Sequence, residues 1–168
     1  VAASASVAPS IRINEVESNG GTPGDWIELL NTGTVDVDLT GYVVKDDKDT
    51  SSYVLPAGSI VAPGAFLVLD ELIDGVGHFT FGLGGSDKVR LFDPSLRLVE
   101  ERSWTGHAAT SMGVRDADGA TEWIATTAST KGAANTFPAP VPNPDPDPDP
   151  IPAPTPTVVV NEIVYDAV

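Results

Sequence analysis

The stretch "INEVESNGGTPGDWIELLN", from Ile13 to Asn31, decides the fold class. It holds two short apolar runs that are separated by a loop of Gly, Pro, Asn and Thr, and neither run has the length of a helix. In the second run Ile27 and Leu29 alternate with Trp26 and Glu28, as in a strand that buries one face. The stretch therefore predicts two β-strands, with Ile27 and Leu29 facing a core and Trp26 and Glu28 facing away from it.

The same pattern continues along the chain, where short apolar runs are bounded by Gly, Pro, Asn and Asp. No window of helical length keeps a 3.6-residue period without a breaker. The run 66–69 is apolar on both faces, which predicts a central strand. The predicted strands are 11–17, 25–31, 41–45, 65–70, 88–93, 96–104 and 122–125. Short strands with frequent turns predict an all-β sandwich of about seven to nine strands. Its predicted core consists of Ile13, Ile27, Leu29, Val43, Leu67, Leu69, Val89 and Leu91.

Composition limits the classes of partner. The 168 residues include 24 acidic and 9 basic side chains, which gives a net charge of -15. A surface of this sign repels phosphate backbones, so unaided nucleic-acid binding is disfavoured. The chain has no Cys, which excludes disulfides and thiolate metal sites. No apolar run approaches the roughly 20 residues that a membrane-spanning helix needs.

Changes of composition divide the chain into four segments. Residues 1–10 are predicted to be a processed or flexible leader, because Ala3-Ser4-Ala5 fits the A-x-A pattern that precedes signal cleavage. Residues 11–137 form the predicted sandwich. In residues 138–157 Pro alternates with other residues, which predicts an extended Pro/Asp-rich linker of roughly 60 Å. Residues 158–168 are the fourth segment.

The fourth segment repeats the opening strand. It reads "VVVNEIVYDAV", and its Asn161 and Glu162 follow Asn14 and Glu15 by 147 residues. We interpret residues 158–168 as the first strand of a truncated second copy of the sandwich. Such a strand has an open edge that can pair with the sheet of another molecule, so we expect weak self-association of the chain.

Two acidic turns suggest calcium as a cofactor. The alternative is that the chain has no cofactor. The turn "RDADGATE" supplies Asp116, Asp118 and Glu122 as ligands, and "KDDKD" at 45–49 is a second acidic turn. Carboxylate oxygens on a Gly-bearing loop suit calcium. The twelve-residue spacing of an EF-hand is absent, so ordinary turns remain the competing interpretation.

The sequence context disfavours a catalytic triad and a phosphate-binding loop. His107, Ser111 and Asp116 suggest a hydrolase triad, but no nucleophile elbow is present and the stretch predicts an exposed loop. The Gly-rich run 81–87 lacks the Lys-Ser/Thr ending of a phosphate-binding loop, and His78 is predicted to be a surface residue.

The three Trp residues leave two interpretations open. Trp26, Trp104 and Trp123 are candidate ligand-facing aromatics that could stack on sugars, and core packing is the alternative.

The order of motifs from residue 11 to residue 137 resembles the lamin tail domain, an immunoglobulin-like β-sandwich. The motifs are "INEVESNG", "GDWIELLNTG", "VDLTGYVVKD", "LPAGSIVAPGAFLVL", "GGSDKVRLFD" and "TKGAAN". Two departures are Tyr42, where the family often has Trp, and Lys131, where Pro is usual.

The resemblance implies a non-catalytic module, with no catalytic residues, in a secreted or cell-surface bacterial protein. Its expected ligand is a cell-wall polymer, a carbohydrate or a protein. Because bacterial members are often appended to secreted nucleases, phosphoesterases and phytase-like esterases, an N-terminal arm of such an enzyme is the first alternative. A structural assembly module is the second.

Overall fold

The computed structural model describes residues 10–117 and 120–139, and these residues contain eleven β-strands and no helix. Contacts between Cα atoms divide the chain into Val1–Pro138 and Ala139–Val168, and the strands belong to the first unit. Nearly all of the predicted leader and linker, the predicted second copy and Asp118 lie outside the described residues. In chain order the strands are β1 (Ile11–Glu17), β2 (Trp26–Asn31), β3 (Val37–Asp38), β4 (Val43–Lys45), β5 (Tyr53–Val54), β6 (Ile60–Val61), β7 (Phe66–Asp70), β8 (Asp87–Phe92), β9 (Leu98–Trp104), β10 (Met112–Ala117) and β11 (Ala120–Ala125).

The strands form two main antiparallel sheets. One has five strands in the order β11-β10-β1-β2-β7, and the other has four in the order β5-β4-β8-β9. A two-stranded sheet of β3 and β6 completes the set. The core cluster draws Ile13 and Leu29 from the five-stranded sheet and Val89 and Leu91 from the four-stranded sheet, each of them fully buried. The predicted all-β, immunoglobulin-like sandwich is therefore confirmed.

The predicted core needs one correction. Six of the eight predicted residues are in the core cluster, and Leu67 packs against it as a partly buried side chain. On β4 it is Val44, at 0% exposure, that joins the cluster, and Val43 is buried outside it. The strand has only three residues, so its sequence offers too few alternations to fix the inward face.

Two predictions of strand position were wrong. The strand 66–70, predicted to be central, is β7 at an edge of the five-stranded sheet. The stretch 107–116 was predicted to be an exposed loop, but its residues from Met112 onward belong to β10, which lies between β1 and β11. The four strands absent from the prediction are β3, β5, β6 and β10, and the first three have only two residues each.

The outward face of the five-stranded sheet is also buried in part. Trp26 is 1% exposed and Glu28 is 0% exposed, although the alternation in β2 predicts that both face away from the core. The covering element is residues 126–137, named here the closing segment, which contacts Glu28 and the Trp26 ring. The prediction of a single buried face on β2 was therefore wrong, because a segment 100 residues away in sequence covers the other face.

Candidate functional site

Two glutamates lie side by side beneath the closing segment. Glu15 on β1 and Glu28 on β2 are directly opposite in the antiparallel register. Both are 0% exposed, and neighbouring Asn14 is 2% exposed. A β-bulge between Ile13 and Glu15 interrupts the alternation of β1 at this point. The bulge is consistent with both Asn14 and Glu15 reaching the closing segment, since an extra residue re-aims side chains.

The closing segment supplies the hydrogen-bond donors for both carboxylates. Thr130 donates to Glu15 from its backbone N, at 3.1 Å, and from its Oγ1, at 2.6 Å. The backbone N of Gly132 donates to Glu28 Oε2 at 2.5 Å, and Asn14 Nδ2 donates to Glu28 Oε1 at 2.8 Å. The buried charges are thus met by donors of this chain, as buried carboxylates require.

Asn135 joins the closing segment to two strands. Its Nδ2 donates to the carbonyl oxygens of Asn14, at 3.0 Å, and Val114, at 3.1 Å, and its Oδ1 accepts from Asn14 Nδ2 at 3.0 Å. Ser111 Oγ also donates to Glu15 from the start of β10. We name Asn14, Glu15, Glu28, Ser111, Thr130 and Asn135 the polar cluster.

Burial changes the protonation of Glu28. Desolvation raises the pKa of this carboxyl from 4.5 to about 7, against the opposing effect of the hydrogen bonds from Asn14 and Gly132, and the charge of Glu15 raises it further. Glu28 therefore titrates near neutral pH.

Lys131 closes the other end of the covered face. Its Nζ donates to Asp70 on β7 and to the carbonyl oxygen of Thr22 at 2.8 Å. The same Nζ lies 5.8 Å from the centre of the Trp26 ring, within the range of a cation–π contact. Lysine at this position thus secures the closing segment by charge.

A groove of about 330 Å³ opens where the closing segment leaves the sheet. Its apolar wall consists of Leu30, Phe66 and Phe137, each half-buried. Its polar wall includes Arg12 and Arg115, and the remaining lining residues are Asn14, Val114, Asp116, Ala134 and Asn135.

The triad of His107, Ser111 and Asp116, which the sequence context disfavoured, is not assembled. Ser111 Oγ donates to Glu15, and Asp116 accepts from Arg12 at 2.8 Å. His107 Nδ1 instead pairs with Ser18 Oγ at 3.1 Å. Each of the three side chains therefore has a different partner. His78 is half-buried, and its Nδ1 accepts from the backbone N of Asp70 at 3.0 Å.

The two proposed calcium ligands that the structure describes, Asp116 and Glu122, are already paired with arginine side chains. Asp116 pairs with Arg12, and Glu122 Oε2 accepts from Arg115 Nε at 2.8 Å. The hydrogen bond from Arg12 lowers the pKa of Asp116, which keeps the carboxylate charged. Within residues 10–117 and 120–139, no three His, Asp or Glu side chains are grouped so as to hold a metal ion. Calcium binding at this turn stays an untested hypothesis, and the arginine partners of Asp116 and Glu122 favour the alternative of an ordinary turn.

The Trp residues differ in their access to solvent. Trp26 and Trp104 are 1% and 6% exposed, and Trp104 Nε1 donates to the carbonyl oxygen of Gly84 at 2.7 Å. Trp104 belongs to the core cluster, and Trp26 is covered by the closing segment on the other face of the sheet. Trp123 packs against the core cluster but is only half-buried, beside Arg102, whose Cζ lies 5.7 Å from the ring centre, and it stays a candidate ligand-facing aromatic.

Sequence reasoning did not predict the polar cluster or the groove. The available pattern was the presence of polar residues inside apolar strands, at Asn14, Glu15 and Glu28, together with "TKGAAN" far along the chain. Nothing in the sequence alone states that these residues meet, because their contacts span more than 100 positions.

A family described as Lamin Tail Domain matches residues 4–106. A search of the curated proteins found no match. None of the described residues belongs to a helix long and apolar enough to cross a membrane.

Proposed function

Because the chain belongs to the lamin tail domain family, whose members share a non-enzymatic immunoglobulin-like fold, we propose that it is a non-catalytic binding module of a secreted, multidomain bacterial protein. The module acts at the cell surface or outside the cell, where it holds its neighbouring domains on a polymer.

The groove beside the polar cluster carries this proposal. Its half-buried apolar wall, with Phe66 and Phe137, lies next to the guanidinium groups of Arg12 and Arg115. Concave sites that combine apolar walls with a few polar groups are the usual form of ligand sites. The polar cluster supports the role by holding the closing segment, and with it Phe137, on the sheet.

A second candidate function is that of a non-catalytic domain joined to a catalytic domain in the same protein. The acidic Pro-rich sequence 138–157 favours this second candidate, because a stiff spacer separates two working units. In this proposal the module is the N-terminal arm of a secreted nuclease, phosphoesterase or phytase-like esterase. Assembly through strand contacts of the predicted second copy is the remaining proposal.

Binding to insoluble bacterial cell walls tests the function. The full chain is mixed with purified walls, and the fraction that sediments is measured. We expect sedimentation of the wild-type chain and its loss in Phe66→Ala. Phe92→Ala is the matched control, because Phe92 is also half-buried, has Arg90 5.7 Å from its ring centre and lies on the other sheet. Equal sedimentation of both variants contradicts a role for the groove, and an unbound wild-type chain contradicts the proposed binding to walls.

A further inference from the structure

The charges at the groove are arranged in neutral pairs. Arg12 Nη1 lies 2.8 Å from Asp116 Oδ2, and Arg115 Nε lies 2.8 Å from Glu122 Oε2. Each guanidinium thus has its own carboxylate. Arg12 and Asp116 both line the groove and offer donors and acceptors side by side, whereas Glu122, the partner of Arg115, lies outside the lining. A ligand that carries a charge of either sign would have to compete with these pairs.

One donor at the groove has no partner within the described part of the chain. Arg12 Nε is buried and makes no hydrogen bond there, although Arg12 lines the groove. Because Nε itself is shielded from solvent, a ligand in the groove reaches only the exposed part of the Arg12 side chain, which is 23% exposed. Phe66 and Leu30 offer apolar surface in the groove, and the Arg115 guanidinium lies over the Phe137 ring, with its Cζ 5.8 Å from the ring centre.

We infer that the groove binds a neutral saccharide of one or two pyranose rings. A sugar hydroxyl both donates and accepts, so it can bridge a guanidinium and its paired carboxylate without disturbing their charge balance. The C–H face of a pyranose ring is apolar and can pack on Phe66, while Phe137, with Arg115 over its ring, borders the same space. The volume of about 330 Å³ lies at the lower end of the range for small-ligand sites, which limits the number of rings.

The net charge of the chain favours neutral over acidic sugars. At -15, the chain repels uronic acids and phosphate-containing wall polymers, and the paired arginines do not offset this repulsion. This inference rests on the proposed binding function and names its ligand class.

Three soluble disaccharides test it with the full chain. Cellobiose and diacetylchitobiose are the neutral probes, and digalacturonic acid is an acidic probe of similar size. Saturation-transfer NMR detects binding, and calorimetry measures Kd. We expect at least one neutral probe to bind with a Kd on the order of 1 mM, as for a shallow site, and digalacturonic acid not to bind. Phe66→Ala should weaken neutral binding by about tenfold or more, and Phe92→Ala should not.

A second groove variant, Phe137→Ala, replaces Phe66→Ala in the test if that chain is poorly folded. Thermal unfolding shows whether each variant is folded. Loss of binding in a Phe137→Ala chain with a wild-type Tm supports the inference. Binding of a neutral probe that survives both groove substitutions overturns it. If the chain sediments with walls through Phe66 but binds only digalacturonic acid or none of the probes, the saccharide inference fails and the binding function stands. If neither walls nor probes bind, both fail.

Discussion

Replacing Glu28 by Gln should flatten the dependence of stability on pH. Glu28 has a pKa of about 7 in the folded chain, against 4.5 ordinarily, so the folded state binds a proton more tightly than the unfolded state. Between these two values the unfolded chain has lost the proton that the folded chain keeps. The free energy of unfolding therefore falls as pH rises through this window.

The magnitude follows from the width of the window. Each pKa unit corresponds to about 1.4 kcal/mol, so a rise from 4.5 to about 7 amounts to about 3.5 kcal/mol. This part of the stability is fully present below pH 4.5 and is lost by the time the pH exceeds about 7. Burial also raises the pKa of Glu17. Its effect on stability is the same in the wild-type chain and in Glu28→Gln, so it cancels when the two proteins are compared. The lowered pKa values of Asp93 and Asp116 act below this window.

Urea unfolding followed by Trp fluorescence provides the measurement. The wild-type chain should lose about 2.5 kcal/mol more than Glu28→Gln when the pH is raised from about 5 to about 8, since part of the effect lies below about pH 5. Gln is neutral at both pH values and nearly isosteric, so its own cost, from one mismatched hydrogen bond, is the same at both. Parallel stability curves for the two proteins would refute the assignment of this titration to Glu28.

Three further predictions concern the closing segment and the acidic turn. Thr130→Val removes the hydroxyl that donates to buried Glu15 and should lower the free energy of unfolding by about 1–3 kcal/mol, measured in urea; an unchanged midpoint would contradict the importance of this contact. Gly113→Ala would place a Cβ 2.7 Å from Asn135 Nδ2 and should cost about 1–3 kcal/mol in the same assay, whereas an unaltered stability would show that the closing segment shifts freely. Calcium at about 5 mM should raise the Tm by less than about 1 °C relative to EDTA, because arginine already pairs with Asp116; a rise of several degrees would establish a calcium site.

The fold was predictable because the local alternation of apolar and polar residues determines most of the strands. The strand 11–17 was predicted at its observed bounds, and the sandwich followed from short apolar runs with turns between them. The three two-residue strands could not be predicted, since two residues do not establish an alternation. β10 was missed because Gly113 and the charged residues Arg115 and Asp116 interrupt its apolar pattern.

The candidate site was not predictable to the same degree, because its contacts are non-local. The alternation in β2 correctly placed Ile27 and Leu29 in the core. It could not show that Trp26 and Glu28 are covered too, since the covering residues lie near position 131. Asp116 was named as a calcium ligand, and the sequence could not show its ion pair because its partner Arg12 is 104 positions away.

The closing segment also determines how the module bears mechanical load. Tension on the chain beyond Phe137 reaches residues 126–137 before it reaches the hydrogen-bond ladders of the sheets. The segment is fastened mainly by side chains, through Thr130, Lys131 and Asn135. When force is applied at the C-terminal side of Phe137, the closing segment should detach from the sheet first. Trp26 and Glu28 are then exposed while the two sheets are still intact.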